Sequence, residues 1–143
     1  MKVFVDANIL VSVLNKEYPL FTCTSRILSI ADSTGFEIFT SPVCLAIAFY
    51  FAEKKTNAKN AKQKIKLLCE HIQIAEVTKS SVRDALDNPA VKDFEDGLEY
   101  YAAFENKCKC IITEDTGDFY FSEIEVLNSN DFFIRYMAKS RHW

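Results

Sequence analysis

The chain has 143 residues, a formal net charge of −3, and is 49% hydrophobic and 26% charged. That size and balance suit one globular domain with a real core, and they exclude a disordered chain or one that is basic throughout. Three Gly and three Pro leave little room for a β-sandwich with many tight turns, and no apolar stretch reaches the ~18 residues needed to cross a bilayer.

Met1–Asn8 reads MKVFVDAN. Val3, Phe4 and Val5 form a short β-branched and aromatic run that predicts a buried strand ending at Asp6. Ile9–Leu14 then opens a helix. Pro19–Gly35 carries Cys23, Ile27, Leu28, Ile30 and Ala31 at near-helical spacing, with Thr22 or Thr24 as a starting cap and Gly35 as a stop. Phe36–Thr40 alternates and predicts a strand. Ser41-Pro42 pairs a capping hydroxyl with a first-turn proline, so a helix runs from there to about Lys55. This helix is apolar nearly all round, which predicts burial.

Thr56–His71 is expected to be a helix of different character. Ala58, Ala61, Ile65, Leu68 and Ile72 make its apolar stripe, while Lys55, Lys59, Lys62 and Lys66 lie along another face. Ile72–Val77 predicts a strand and Thr78–Asn88 a short helix stopped by Asn88-Pro89. Asp93 is a natural cap for a helix running to Lys107. Lys109–Thr113 (KCIIT) predicts a strand, followed by the acidic turn Glu114-Asp115-Thr116-Gly117-Asp118. Glu125–Leu127 is a last short strand and Asn130–Met137 a terminal helix. Strands alternating with helices imply a parallel sheet covered on both faces, an α/β class. Residues 1–137 are expected to form one domain, with 138–143 a loose tail.

Five Cys, at 23, 44, 69, 108 and 110, are odd in number and spread thinly, which suits reduced thiols in a cytoplasmic protein. An N-terminus with one Lys and then Asp6 does not look like a signal peptide. Cys108-x-Cys110 has no second pair or His nearby, so it is a poor zinc site.

The acids carry the chemistry. Asp6 follows the first strand, and Asp115 and Asp118 follow KCIIT. In a parallel sheet these strand ends share one edge, where open α/β sheets place their ligands. The helix holding Asp93 and Asp96 feeds into the KCIIT strand, so its start faces the same edge. Unpaired, such carboxylates repel one another. A divalent cation neutralises them, and all-oxygen ligands without nearby His favour Mg²⁺ or Mn²⁺. A site of that kind suits phosphodiester chemistry. The alternative takes each acid singly: Asp6 in a turn, Asp93 as a cap, Asp115 to Asp118 in a solvated loop. No Ser-His-Asp set, Cys-His pair or Gly-rich phosphate loop competes. The lysine face could hold phosphates or an acidic partner, or simply be solvated. Phe49, Tyr50, Phe51, Tyr100 and Tyr101 could stack on bases, but core packing is the better reading. Arg135, Arg141 and His142 are weaker candidates for nucleic-acid contact.

The sequence resembles the PIN-domain ribonucleases, toxin-type members included, nearly end to end. VFVDANIL resembles the family's opening strand-end motif, with Asn8 two residues after the acid. KDFEDGLEYYAAFENKCKCIITEDTGDF resembles its second half, and IEVLNSNDFF its last strand and helix. The resemblance implies a flavodoxin-like three-layer α/β/α sandwich. It also implies Mg²⁺- or Mn²⁺-dependent cleavage of single-stranded RNA, a homodimer and a small antitoxin partner. By position it makes Asp6, Asp96 and Asp115 metal-site acids, with Asp118 supporting and Asp93 and Asn8 accessory. One departure stands out: the Glu that the family carries early in its second-motif helix matches about Ile47 here. Glu53 is no replacement, since six residues turn it ~240° away. A catalytically weak PIN fold that binds RNA or protein as a regulatory module is therefore the alternative function.

Overall fold

The computed structural model describes residues 1–33 and 35–138. Residues 139–143, with Arg141, His142 and nearly all of the expected tail, lie outside the described residues. In chain order the elements are β1 (Lys2–Val5), α1 (Ala7–Leu14), α2 (Leu20–Ser29), β2 (Glu37–Thr40), α3 (Pro42–Lys55), α4 (Ala58–Cys69), β3 (Gln73–Ile74), α5 (Lys79–Asp87), α6 (Phe94–Glu105), β4 (Cys110–Ile112), β5 (Glu125–Leu127) and α7 (Ser129–Phe132). Short turns of 3-10 helix at Ile30–Asp32 and Thr116–Phe119, and a π turn at Phe133–Met137, complete it.

The five strands form one all-parallel sheet in the order β3-β2-β1-β4-β5. This is the α/β class expected from the alternation of strands and helices. The order steps outward from β1 to β3 and then returns to the other side of β1. The junction between β1 and β4 is therefore the topological switch point, where neighbouring crossovers leave in opposite directions and open a crevice at the strands' carboxyl ends. The central strands are buried on both faces, as parallel strands under helices must be: Val3, Phe4, Val5, Cys110, Ile111 and Ile112 are all inaccessible.

Local signals account for most helix starts. Ser41 Oγ accepts from Cys44 N with Pro42 in the first turn. Thr78 and Ser81 form a reciprocal capping box for α5, and Asp93 caps α6. Other expectations shift. α2 starts at Leu20 without a side-chain cap. Thr24 lies inside it, its hydroxyl donating to Leu20 O and accepting from Ser12 Oγ. The Ile72–Val77 strand shrinks to two residues because β3 sits at the sheet edge and pairs only with Phe39 and Thr40. Asn128, ahead of the expected start, caps the terminal helix.

α3 is the clearest departure. It is not buried all round: Cys44, Ala48 and Ala52 turn inward, while Tyr50 and Phe51 are about half exposed. The inward residues recur every four positions and are small, which lets α3 approach α1 closely. The lysine stripe also breaks, because α3 ends at Lys55 and α4 starts anew with Asn57 as its cap. Lys55 Nζ donates to Asn15 O at 2.6 Å and Lys64 Nζ to Leu14 O at 3.0 Å, so both cations close the carbonyl end of α1.

Phe132 anchors the terminal helix. It is fully buried and packs edge-on to Phe36 and against Tyr136. Phe132→Ala is expected to cost about 3–5 kcal/mol, the usual result of emptying a core aromatic site, measured as a lowered urea midpoint. Among the described residues, no helix is long and apolar enough to cross a membrane.

Candidate metal centre

The register of the two central strands builds the floor of the site. Val5 pairs with Ile112, and Asp6 N continues the ladder by donating to Ile112 O at 3.0 Å. That sets Asp6 beside Thr113, whose hydroxyl donates to Asp6 Oδ2 at 2.7 Å. The other carboxylate oxygen, Oδ1, accepts from Ala7 N at 2.6 Å and caps α1. Asp6 is therefore held through both oxygens and is 7% exposed.

Asn8 ties this strand end to the next. Its Nδ2 donates to Thr113 Oγ1 at 3.1 Å and to Asp115 Oδ2 at 3.2 Å, with Asp6 Oδ2 at 3.4 Å, while its Oδ1 accepts from Glu114 N. Asp115 N returns a bond to Thr113 Oγ1. Thr113 is thus the hub of the clasp. The sequence held the signal for it: it is the hydroxyl residue ending the KCIIT strand, placed opposite Asp6 once the strands are paired. Glu114 Oε1 accepts from Ser129 N, which pins the acidic turn to α7.

The start of α6 brings the other acids. Asp93 Oδ1 accepts from Glu95 N and Asp96 N, which is a capping role. The freed first turn points Glu95 and Asp96 at the same cleft. Asp6, Asn8, Glu95, Asp96, Glu114, Asp115 and Asp118 all line this cleft of ≈ 390 Å³, with Val11, Leu20, Ile47 and Phe51 forming an apolar wall. The structure thus brings together Asp6, Asp96, Asp115 and Asp118. Asp93 stands one turn behind Asp96, and none of Lys55, Lys59, Lys62 or Lys66 lines the cleft.

Two acids here, Glu95 in the cleft wall and Glu99 behind it, have no counterpart among the residues singled out from sequence. Glu99, on α6 one turn beyond Asp96, is 1% exposed. Its Oε1 accepts from the Cys44 thiol at 3.0 Å, and its Oε2 is buried without a partner. Its spacing from Asp93 and Asp96, by three residues each time, is the signal that could have found it.

Burial leads the electrostatics, and crowding by neighbouring acids adds to it. Burial raises the Asp96 pKa to about 7, helped by Asp93, Asp118, Asp6 and Glu95. Glu95 and Asp118 are raised too, by desolvation first and then by neighbouring acids. Glu99 is pushed far up, by burial first and then by the closeness of the Asp6 carboxylate. Burial also raises the Cys44 thiol, which therefore stays protonated and is no competing thiolate ligand. Among the described residues the ion pairs are His71–Asp32 and Arg135–Glu125, so no side-chain cation neutralises the cluster. An oxygen-rich set of repelling carboxylates, one of them with an orphaned buried oxygen, fits a hard divalent cation.

A PIN domain family model matches residues 2–117. The chain is 29% identical over 135 residues to Ribonuclease VapC1 of Aquifex aeolicus (strain VF5), covering 92% of each. Its fold is similar to that of a chain in VapBC2 from Rickettsia felis, solved bound to a DNA fragment from their promoter. The TM-score is 0.68 at 16% identity, over 90% of this chain and 98% of that one. It is similar as well to Mycobacterium tuberculosis VapC20, a Sarcin-Ricin loop cleaving toxin, with a TM-score of 0.65 at 14% identity over 86% and 98% of the two chains.

Proposed function

Because the chain belongs to the PIN-domain family, we propose that it is a Mg²⁺- or Mn²⁺-dependent endoribonuclease. It would hydrolyse phosphodiester bonds of single-stranded RNA and serve, in the cytoplasm, as the toxin of a toxin–antitoxin pair. The observation that carries this reading is the convergence of Asp6, Asp96, Asp115 and Asp118 on one cleft with no cation paired to them among the described residues. Similarity to a ribonuclease over nearly the whole chain supports the activity.

In this reading Asp6, Asp96 and Asp115 hold the ion, and Asp118 supports them from the rim. Bound there, a divalent ion would lower the pKa of water and neutralise charge building on the phosphate. The chain's own residues do the positioning. Asn8 and Thr113 fix the Asp6 and Asp115 carboxylates relative to each other, and Asp93 fixes the start of α6. Leu20, Ile47 and Phe51 give the bases an apolar wall beside the acids. Lys59, Lys62 and Lys66 on α4 are exposed and are proposed contacts for RNA phosphates or an acidic partner segment. Lys55 is already engaged at α1. A small antitoxin and a second copy of the chain are the proposed partners, and the similar chain in the VapBC2 assembly supports the first of them.

The test is cleavage of a mixed single-stranded RNA pool by the purified protein. Cleavage is expected with Mn²⁺ and not with EDTA. Induced expression is expected to arrest a bacterial host. Ile47 in the wall of the cleft, where the family's motif has Glu, favours a second reading, a binding module without turnover. RNA retention without Mn²⁺-dependent cleavage would establish that reading instead.

A further inference from the structure

The cleft lacks an acid on the α3 side, yet a buried one stands at its back. One carboxylate oxygen of Glu99 lies within 4.8 Å of ligand atoms of Asp6 and Cys44, and Glu99 forms a second group of the same span with Glu95 and Asp96. It is the member common to both groups, so it links the strand-end acid to the helix-start acids. A buried acid with an unpartnered oxygen carries a large desolvation penalty unless something charged or hydrogen-bonding meets it. Its neighbour Asp6 already accepts hydrogen bonds through both oxygens, so only a shared proton or a cation can make that contact favourable.

Resting on the metal-site reading above, we infer that Glu99 gives the metal site the carboxylate that position 47 lacks, reaching it from α6 instead of α3. The helix geometry allows this. Glu99 lies three and four residues beyond Asp96 and Glu95, so all three share one face of α6. Oxygens on opposite sides of one Mg²⁺ stand about 4.2 Å apart, at about 2.1 Å each from the ion. Adjacent oxygens on the same ion stand about 3.0 Å apart, so groups that now span up to 4.8 Å draw together by up to about 2 Å around the ion, a movement on the scale of a side-chain rotation. Glu99 would then complete an all-oxygen set with Asp6 and Asp96, and the Cys44 thiol would hold its second oxygen in place.

The alternative is a structural Glu99 that stays protonated and merely donates to Asp6. Glu99→Gln separates the two, because Gln keeps the size and an N–H donor but removes the charge. Mn²⁺ binding is followed by electron paramagnetic resonance in wild type, Asp6→Asn, Glu99→Gln and the double variant Ile47→Glu/Glu99→Gln. Each variant is first checked for a wild-type melting curve in EDTA. Glu99→Gln is expected to weaken Mn²⁺ binding by about 10–100-fold, the scale of losing a residue that holds a metal site together. Ile47→Glu in that background is expected to restore most of the loss. Mn²⁺ affinity within twofold of wild type for Glu99→Gln would overturn the inference, as would a loss that Ile47→Glu leaves untouched. A wild type that binds no Mn²⁺ would instead remove the metal-site reading itself, and the role of Glu99 with it.

Discussion

Asp6→Asn is expected to abolish Mn²⁺-dependent RNA cleavage while leaving the protein folded. The two halves of this expectation rest on different oxygens and a lost charge. Asp6 Oδ1 caps α1 by accepting from Ala7 N, and Asn is as good a cap as Asp. The amide nitrogen would replace Oδ2 and lose the hydrogen bond that the Thr113 hydroxyl now donates there, a cost of about 1 kcal/mol. The melting temperature should therefore move by no more than a few degrees. The chemistry has no such compensation. One full negative charge leaves a buried point of the cleft, and a loss of about 4 kcal/mol in transition-state stabilisation corresponds to roughly a thousandfold in rate. Single-turnover cleavage beside a circular dichroism melt measures both. An undiminished rate in the folded variant would remove Asp6 from the active machinery.

Asp96→Asn should abolish cleavage as well, and it should raise metal-free stability near neutral pH. The Asp96 pKa stands at about 7 against an ordinary 3.8. Between those values the folded state holds the proton more tightly than the unfolded chain does. By linkage, this group favours folding most at low pH, and the advantage is lost as pH rises toward 7. Metal-free wild type should therefore melt lower at pH 7.5 than at pH 5.5, to the extent that this group contributes. The Asn variant should melt higher than wild type at pH 7.5 and show a flatter pH profile. Because metal binding and protonation compete for the same carboxylate, Mn²⁺ should raise the wild-type melting temperature more at pH 7.5 than at pH 5.5. Melting curves at the two pH values, with Mn²⁺ and with EDTA, decide it. An Asn variant that melts lower than wild type at pH 7.5 with an unchanged pH slope would show that crowding of acids is not what Asp96 feels.

These expectations share one origin: the site concentrates like charge at the switch point of a parallel sheet, at the expense of stability without an ion. The clasp of Asn8 and Thr113 keeps Asp6 and Asp115 close despite their repulsion. The cap made by Asp93 points Asp96 at the same place. Neither device neutralises charge; both hold it still.

The order of elements, the parallel sheet and the edge at which Asp6, Asp96, Asp115 and Asp118 meet are legible from the amino-acid order. These follow from short-range rules. β-branched runs make strands, Ser41-Pro42, Thr78 and Asp93 start helices, and connections between parallel strands return each strand end to one edge. The features that needed three-dimensional packing lie where distant helices cross. α3 is apolar on every side, so no periodicity marks its inner face. Close approach to α1 chose the small residues Cys44, Ala48 and Ala52 and turned Phe51 into the cleft wall. Lys55 reads as part of a charged stripe until the end of α1 arrives beside it. Glu99 reads as an ordinary helix acid until Cys44, 55 residues away in sequence, and Asp6 close over it. Burial of a charge depends on which surfaces meet, and no local pattern in a helix records what will be packed on top of it.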